Sequence, residues 1–264
     1  MNTQNKGKAL ITGASSGIGE VYAERLADRG YDLVLVARRL DRLEALARKI
    51  AERTGRKAEV LQADLGDRAG IAAVERRLAE DEAITLLINN AGISLEGSIL
   101  ENGSAQIEKL ITVNTLAPTL LAAAAAKAFV ARDRGGIVNI ASVLAFVPEM
   151  MDGLYSGTKA HLLNITLGLA SKLQGTKVRA QAVLPGATRS EIWEKSGKDV
   201  DTLMPGMVMD TADLVDAALV GYDRGEVVTI PPLADEGQFK AYDAARLAMA
   251  PNLSRKDVAP RYRA

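Results

Sequence analysis

Between residues 8 and 230 the chain repeats one pattern: a short apolar run, a turn, then a longer stretch with one apolar face. The apolar runs fall at 8–12, 31–37, 58–62, 85–88, 137–141, 178–184 and 226–230. Helical stretches follow, ending near Arg29 for the first, then at about 41–53, 67–80, 103–131 and 152–174. Strands that are apolar throughout are buried on both faces, which calls for a parallel sheet with helices on either side. The expected fold is therefore α/β, a single doubly wound parallel sheet. With 264 residues, 48% of them hydrophobic, the chain can build one large core. No linker, repeat or biased segment divides it, so one domain over 1–264 is expected, with a last helix and tail at about 235–264.

Composition removes several classes of function. The formal net charge is zero, which gives no basic field for nucleic acid. Without cysteine there is no disulfide, thiol nucleophile or cysteine-bound zinc, and the single histidine, His161, gives no basis for a metal site. Residues 1–8 are polar and lack an apolar core, unlike a secretory signal. The longest apolar stretch, 116–131, contains Pro118, Thr119 and Lys127 and is short for a bilayer span. A cytoplasmic protein with no membrane partner is expected.

The first strand ends in Thr12-Gly13-Ala14-Ser15-Ser16-Gly17-Ile18-Gly19 and a helix follows. Glycines there let the backbone approach a pyrophosphate, and the helix N-terminus offers N–H groups to the anion. The same residues satisfy Gly-x-Ser-x-Gly, the nucleophile elbow of α/β-hydrolases, with Ser15 as nucleophile. Gly19 has no part in an elbow, and the only available base, His161, lies within a helix. After the second strand come Ala37, Arg38 and Arg39. A carboxylate there would receive the ribose hydroxyl of NAD, whereas guanidinium groups suit the 2′-phosphate of NADP(H).

Asp64-Leu65 and Asn89-Asn90-Ala91-Gly92 follow the third and fourth strands, where open parallel sheets bind ligands. Asn114 lies four residues before Pro118, which has no N–H, so the Asn114 carbonyl loses a helical partner and can hold a water. Ser142 ends the fifth strand. Tyr155 and Lys159 lie one turn apart on one helix face, and an ammonium beside a phenol favours the phenolate. The pair is a candidate proton donor whose pKa the lysine would lower.

This ordered set, from Thr12-Gly13-x-x-x-Gly17-x-Gly19 to Tyr155-x-x-x-Lys159 and Pro185-Gly186, resembles the short-chain dehydrogenase/reductase family over residues 8–230. The resemblance implies strand order 3-2-1-4-5-6-7 and hydride transfer between NADP(H) and a carbonyl or alcohol. It gives Tyr155 the role of proton donor and Ser142 that of polarising the carbonyl. Lys159 would lower the Tyr155 pKa and hold the nicotinamide ribose, and Asn114 would hold a water leading to solvent. The cofactor would lie on Gly13, Ser15, Ser16, Gly17, Ile18 and Gly19, on Arg38 and Arg39, and on Asp64 and Leu65. It would continue past Asn90, Ala91 and Gly92 to Tyr155 and Lys159, with Pro185, Gly186 and Thr188 closing over the nicotinamide. Reduction is the implied direction, and a homodimer or homotetramer the implied assembly. A cofactor-binding sensor with the same fold is the alternative.

Substrate choice is expected in a lid at about 187–210, which contains Trp193, Met204, Met207 and Met209, together with Met150 and Met151. Thioethers and an indole suit an apolar, adaptable pocket for a ketone or aldehyde.

Overall fold

A computed structural model describes residues 6–97, 99–150, 153–189 and 205–263. Seven strands form one parallel sheet: β1 (Lys8–Thr12), β2 (Asp32–Ala37), β3 (Ala58–Gln62), β4 (Ile84–Asn89), β5 (Gly135–Ile140), β6 (Val178–Val183) and β7 (Val228–Thr229). Their order is β3-β2-β1-β4-β5-β6-β7, as the resemblance implies. The order reverses beside β1, with β2 on one side and β4 on the other. That reversal opens a crevice at the strand C-terminal ends, the place where such sheets bind ligands.

Alternate residues of each strand feed two cores. One face packs Ile11, Leu35 and Ile88 against α1 (Gly17–Asp28), α2 (Leu40–Thr54) and a helix here numbered α7 (Thr211–Arg224). The other packs Leu10, Val34 and Leu87 against α3 (Arg68–Glu80) and α5 (Ala117–Ala131). Helix α6 (Gly153–Lys172) joins that side, and its Leu162 and Leu163 also pack with Ala182 and Leu184.

Three features depart from the sequence pattern. The stretch at 103–131 is helical throughout, but α4 (Ser104–Ile111) passes into a π-helical turn at Thr112–Leu116 before α5. This run, Ser104–Ala131, is long and apolar enough to cross a membrane by length and composition, longer than the 116–131 stretch suggests. Its Leu110, Ala117, Leu121, Ala125 and Phe129 are fully buried in the protein. Second, β7 has two residues rather than the five of 226–230: the Glu226 N–H is taken by the Gly221 carbonyl of the preceding helix at 3.0 Å, and Pro231 and Pro232 cannot extend a ladder at the other end. Third, α7 is absent from the expected helices. Gly225 closes it in the left-handed region at φ 78°, a legible stop, but Gly221 interrupts its apolar pattern.

The chain divides into two compact units, Met1–Pro231 and Pro232–Ala264. The second holds α8 (Glu236–Met249), whose N-cap Asp235 accepts a hydrogen bond from the Gly237 N–H at 2.8 Å. Phe239 and Tyr242 stack on it with ring centroids 6.3 Å apart.

Candidate active site

The glycine turn is built by exclusion. Gly13 has φ +67°, and a Cβ on Gly19 would lie 2.3 Å from the Gly13 carbonyl oxygen, so no side chain fits there. The neighbouring β4 end braces the turn. Asn90 Nδ2 donates to the carbonyls of Thr12 (3.0 Å) and Gly13 (3.2 Å). The Thr12 hydroxyl oxygen accepts from the backbone N–H groups of Asn90 and Ala91, both at 3.0 Å. The Asn90 side chain therefore shapes the glycine turn. Ile18 packs against the core beneath it, and Leu65 is itself a core residue.

Of the two arginines, Arg39 is the one that reaches the turn. Its Nη2 donates to Ser15 Oγ (3.1 Å) and Ser16 Oγ (3.0 Å). Arg38 instead points a guanidinium nitrogen towards Asp64 Oδ2, 3.9 Å away. Asp64 Oδ1 accepts from the Gly66 N–H at 2.8 Å, opening the turn after β3. A cationic fork beside two hydroxyls suits a phosphate, and a glycine cradle suits a pyrophosphate. The residues present fit a dinucleotide phosphorylated on its ribose.

Asn114 occupies the π-helical turn and is 1% exposed. Its Nδ2 donates to Ile93 O (2.8 Å) and Thr158 Oγ1 (3.2 Å), while its Oδ1 accepts from the Ile93 N–H (2.8 Å). Thr158 in turn donates to the Tyr155 carbonyl at 2.7 Å. Thr158 is a site residue that the sequence reading missed. Its signal was its place inside Tyr155-x-x-x-Lys159, one residue from the lysine. A Cβ on Gly92 would lie 3.5 Å from both Lys159 Nζ and Asn114 Oδ1, so the absence of a side chain keeps that corner open.

Strand β5 delivers the remaining groups. Ile140 O accepts from Lys159 Nζ at 2.9 Å, and Lys159 Nζ lies 5.6 Å from the centre of the Tyr155 ring. Two residues on, Ser142 caps a short turn, and its Oγ accepts from the Leu144 N–H at 3.2 Å. That bond leaves the hydroxyl hydrogen to be donated elsewhere. The Pro185 carbonyl accepts from the Val143 N–H at 3.0 Å, which holds Pro185-Gly186 beside the serine turn. Thr188 Oγ1 donates to Gly186 O at 3.0 Å.

The expected fall in the Tyr155 pKa does not occur in the protein itself. Burial raises the phenol to about 12 and lowers the Lys159 ammonium to about 8. Desolvation disfavours charge on either group. The phenol is held protonated, the state a proton donor requires.

The segment at 187–210 is joined at its mouth. Met209 N–H donates to Ala187 O (2.9 Å) and Arg189 N–H to Met209 O (3.0 Å), forming a bridge between Thr188 and Met209. Met150 and Met207 are both exposed. Met151, Trp193 and Met204 lie outside the described residues. His161 sits away from Ser15: its Nε2 is 2.8 Å from Thr119 Oγ1, and Ser15 faces Arg39. The hydrolase alternative therefore has no nucleophile–base pair.

A dinucleotide fold with a phenol, an ammonium and a hydroxyl gathered at the strand ends describes a class, the nucleotide-dependent oxidoreductases. Within it, the chain belongs to the short chain dehydrogenase family, whose model matches residues 7–201. A short-chain dehydrogenase from Sphingobium yanoikuyae, solved in complex with NADPH, is 50% identical with a TM-score of 0.93, covering 97% of this chain and 100% of that one. The bulky-bulky ketone specific alcohol dehydrogenase from Comamonas testosteroni is 44% identical with a TM-score of 0.90, covering 98% of this chain and 99% of that one. Human 17-beta-hydroxysteroid dehydrogenase type 3 is 32% identical over 196 residues, 74% of this chain and 63% of that enzyme's length.

Proposed function

We propose that the protein reduces an apolar, bulky ketone or aldehyde to the alcohol with NADPH, Tyr155 donating the proton. The observation that carries this reading is the bond from Lys159 Nζ to Ile140 O, which seats the α6 residues Lys159 and Tyr155 against β5 two residues before Ser142. NADPH, when bound, supplies the hydride. Arg39, Ser15 and Ser16 would hold its 2′-phosphate, with Arg38 and Asp64 beyond them, and the Gly13–Gly19 turn its pyrophosphate. Lys159 would meet the nicotinamide ribose, and Pro185, Gly186 and Thr188 would cover the ring.

Ser142 donates its hydroxyl hydrogen to the carbonyl oxygen and polarises it. Tyr155 then gives its proton to that same oxygen as the carbon is reduced. The phenolate left behind is stabilised by the Lys159 ammonium, and the proton is replaced through Lys159 and a water beside Asn114. The exposed thioethers of Met150 and Met207 support an adaptable apolar pocket, as does the ketone named for the Comamonas enzyme. The Sphingobium complex supports NADPH. A homodimer or homotetramer in the cytoplasm completes the reading.

The test is NADPH oxidation, with NADH in parallel, against bulky and small ketones, aldehydes, diketones and 3-oxoacyl thioesters. Turnover that prefers NADPH is expected, and Tyr155→Phe should lower kcat about a thousandfold while leaving NADPH binding intact. Turnover unchanged in Tyr155→Phe would overturn the mechanism. Tight NADPH binding without turnover of any compound would favour the sensor.

A further inference from the structure

Two adjacent residues of β5 grip the helix that carries the proton donor. Ile140 holds Lys159 through its carbonyl, and Asn139 donates from Nδ2 to Thr166 Oγ1 at 2.9 Å. Tyr155, Lys159, Leu162 and Thr166 are spaced four, three and four residues apart, so they share one face of α6.

Asn139 is itself fixed. Its Oδ1 accepts from Asn89 Nδ2 at 2.9 Å, and the same nitrogen donates to Pro118 O in α5 at 3.0 Å. Both partners of that nitrogen are acceptors here, so the Asn89 amide has a single orientation. The Thr166 hydroxyl donates to Leu162 O at 2.6 Å, leaving its oxygen to accept from Asn139. The chain runs from β4 through β5 to α6 with the donor and acceptor of each bond assigned. Asn89, Asn139 and Thr166 are 3%, 0% and 0% exposed, and Asn89 Oδ1 is buried with no partner among the described residues. Polar groups in this layer cost stability that apolar ones would not, and an unpaired acceptor adds to that cost. What a directional chain provides and apolar packing does not is a fixed register.

We propose that Asn139 is a positioning residue of the reaction. Through Thr166 it sets the height of α6 on β5, and so the placing of the Tyr155 phenol relative to Ser142, three residues further along from Asn139. This role rests on the reductase reading given above.

The test compares Asn139→Ala, Thr166→Val, Thr166→Ser and the Asn139→Ala/Thr166→Val double variant. Each is assayed with the best ketone of the panel, with NADPH affinity measured separately by fluorescence. Asn139→Ala and Thr166→Val should each lower kcat about 10- to 100-fold with NADPH affinity unchanged, since small misplacements of reacting groups cost that much. Thr166→Ser, which keeps the acceptor oxygen, should restore most of the rate. The double variant should be no slower than the slower single one, because both cut the same bond. Wild-type kcat in folded Thr166→Val, failure of Thr166→Ser to restore the rate, or effects that multiply would overturn the role. If Asn139→Ala does not fold, the two Thr166 variants decide. No turnover by the wild type would refute the reductase reading and this role together, whereas wild-type turnover with unaffected variants refutes this role alone.

Discussion

Arg38 and Arg39 are chemically alike and adjacent, yet they have different tasks. Arg39 bonds two serine hydroxyls of the glycine turn, while Arg38 faces a carboxylate. Charge-assisted hydrogen bonds contribute about 1.5–3 kcal/mol each, so Arg39→Ala should raise the KM for NADPH about 10- to 100-fold and change that for NADH little. Arg38→Ala should do less, and steady-state kinetics with both cofactors check the order. The family resemblance favours Arg38 for the 2′-phosphate, whereas Arg39 is the one bonded to the turn, because which guanidinium turns inwards depends on where α2 starts. Lys159 carries a cost of a different kind. Its folded pKa of about 8 lies below the ordinary 10.5, so between those values the unfolded chain binds more protons and stability rises with pH. At neutral pH the buried ammonium costs about 3 kcal/mol, offset by about 1.5–3 kcal/mol from its charge-assisted bond to Ile140. Lys159→Met should therefore be inactive, and its melting temperature should fall relative to wild type as pH rises from about 8 to 10.5, as thermal unfolding across that range will show.

Among the elements, the strands were the most legible, because an apolar run of strand length admits few alternatives. The π-helical turn at Thr112–Leu116 was not, although Pro118 marked the place where the ladder is interrupted. What settles that turn is tertiary: Asn114 bonding Ile93 and Thr158, partners 21 and 44 residues away in sequence. Helix α7 shows the same limit. Gly221 reads as a weak point in a helix, but its missing side chain is what lets the helix approach β7. A Cβ there would lie 2.2 Å from Thr229 Oγ1, which is already held by Gln181 Nε2 at 2.9 Å. Gly221→Ala, favourable in an isolated helix, should destabilise the protein by about 1–3 kcal/mol, measured by urea unfolding.

In the main unit the chemistry and a charged lock lie at opposite ends of the sheet. At the strand N-termini Lys8 pairs with Glu59 (2.6 Å) and Asp81 (2.9 Å), and Arg77 bonds the same two carboxylates. Burial alone would raise the pKa of both acids, but the hydrogen bonds from Lys8 and the charge of Arg77 outweigh it and hold Glu59 below 4.5 and Asp81 below 3.8. Their stabilisation is present above those ordinary values and is lost as pH falls through the lower folded ones. Melting temperature should drop on acidification below about pH 4.5, and Asp81→Asn should flatten that limb while neutral activity is unchanged. No motif announced this cluster, since its members are spread over 73 residues and meet only once the strands are ordered. The candidate site could be read from the sequence for the opposite reason. Its residues sit at strand ends and one helix turn apart, positions that local spacing reveals before any long-range contact is known.

The bridge between Thr188 and Met209 also bears on how such a protein can change. It brings the two ends of the 187–210 segment together, with Ala187, Arg189 and Met209 bonded there. Chain inserted or exchanged between those positions therefore meets a mouth that is already shut, and each doubling of loop length adds only about 0.6 kcal/mol of closure entropy. The stretch between them becomes a replaceable module: it can be rewritten by descent or by design while the sheet and the glycine turn are inherited intact.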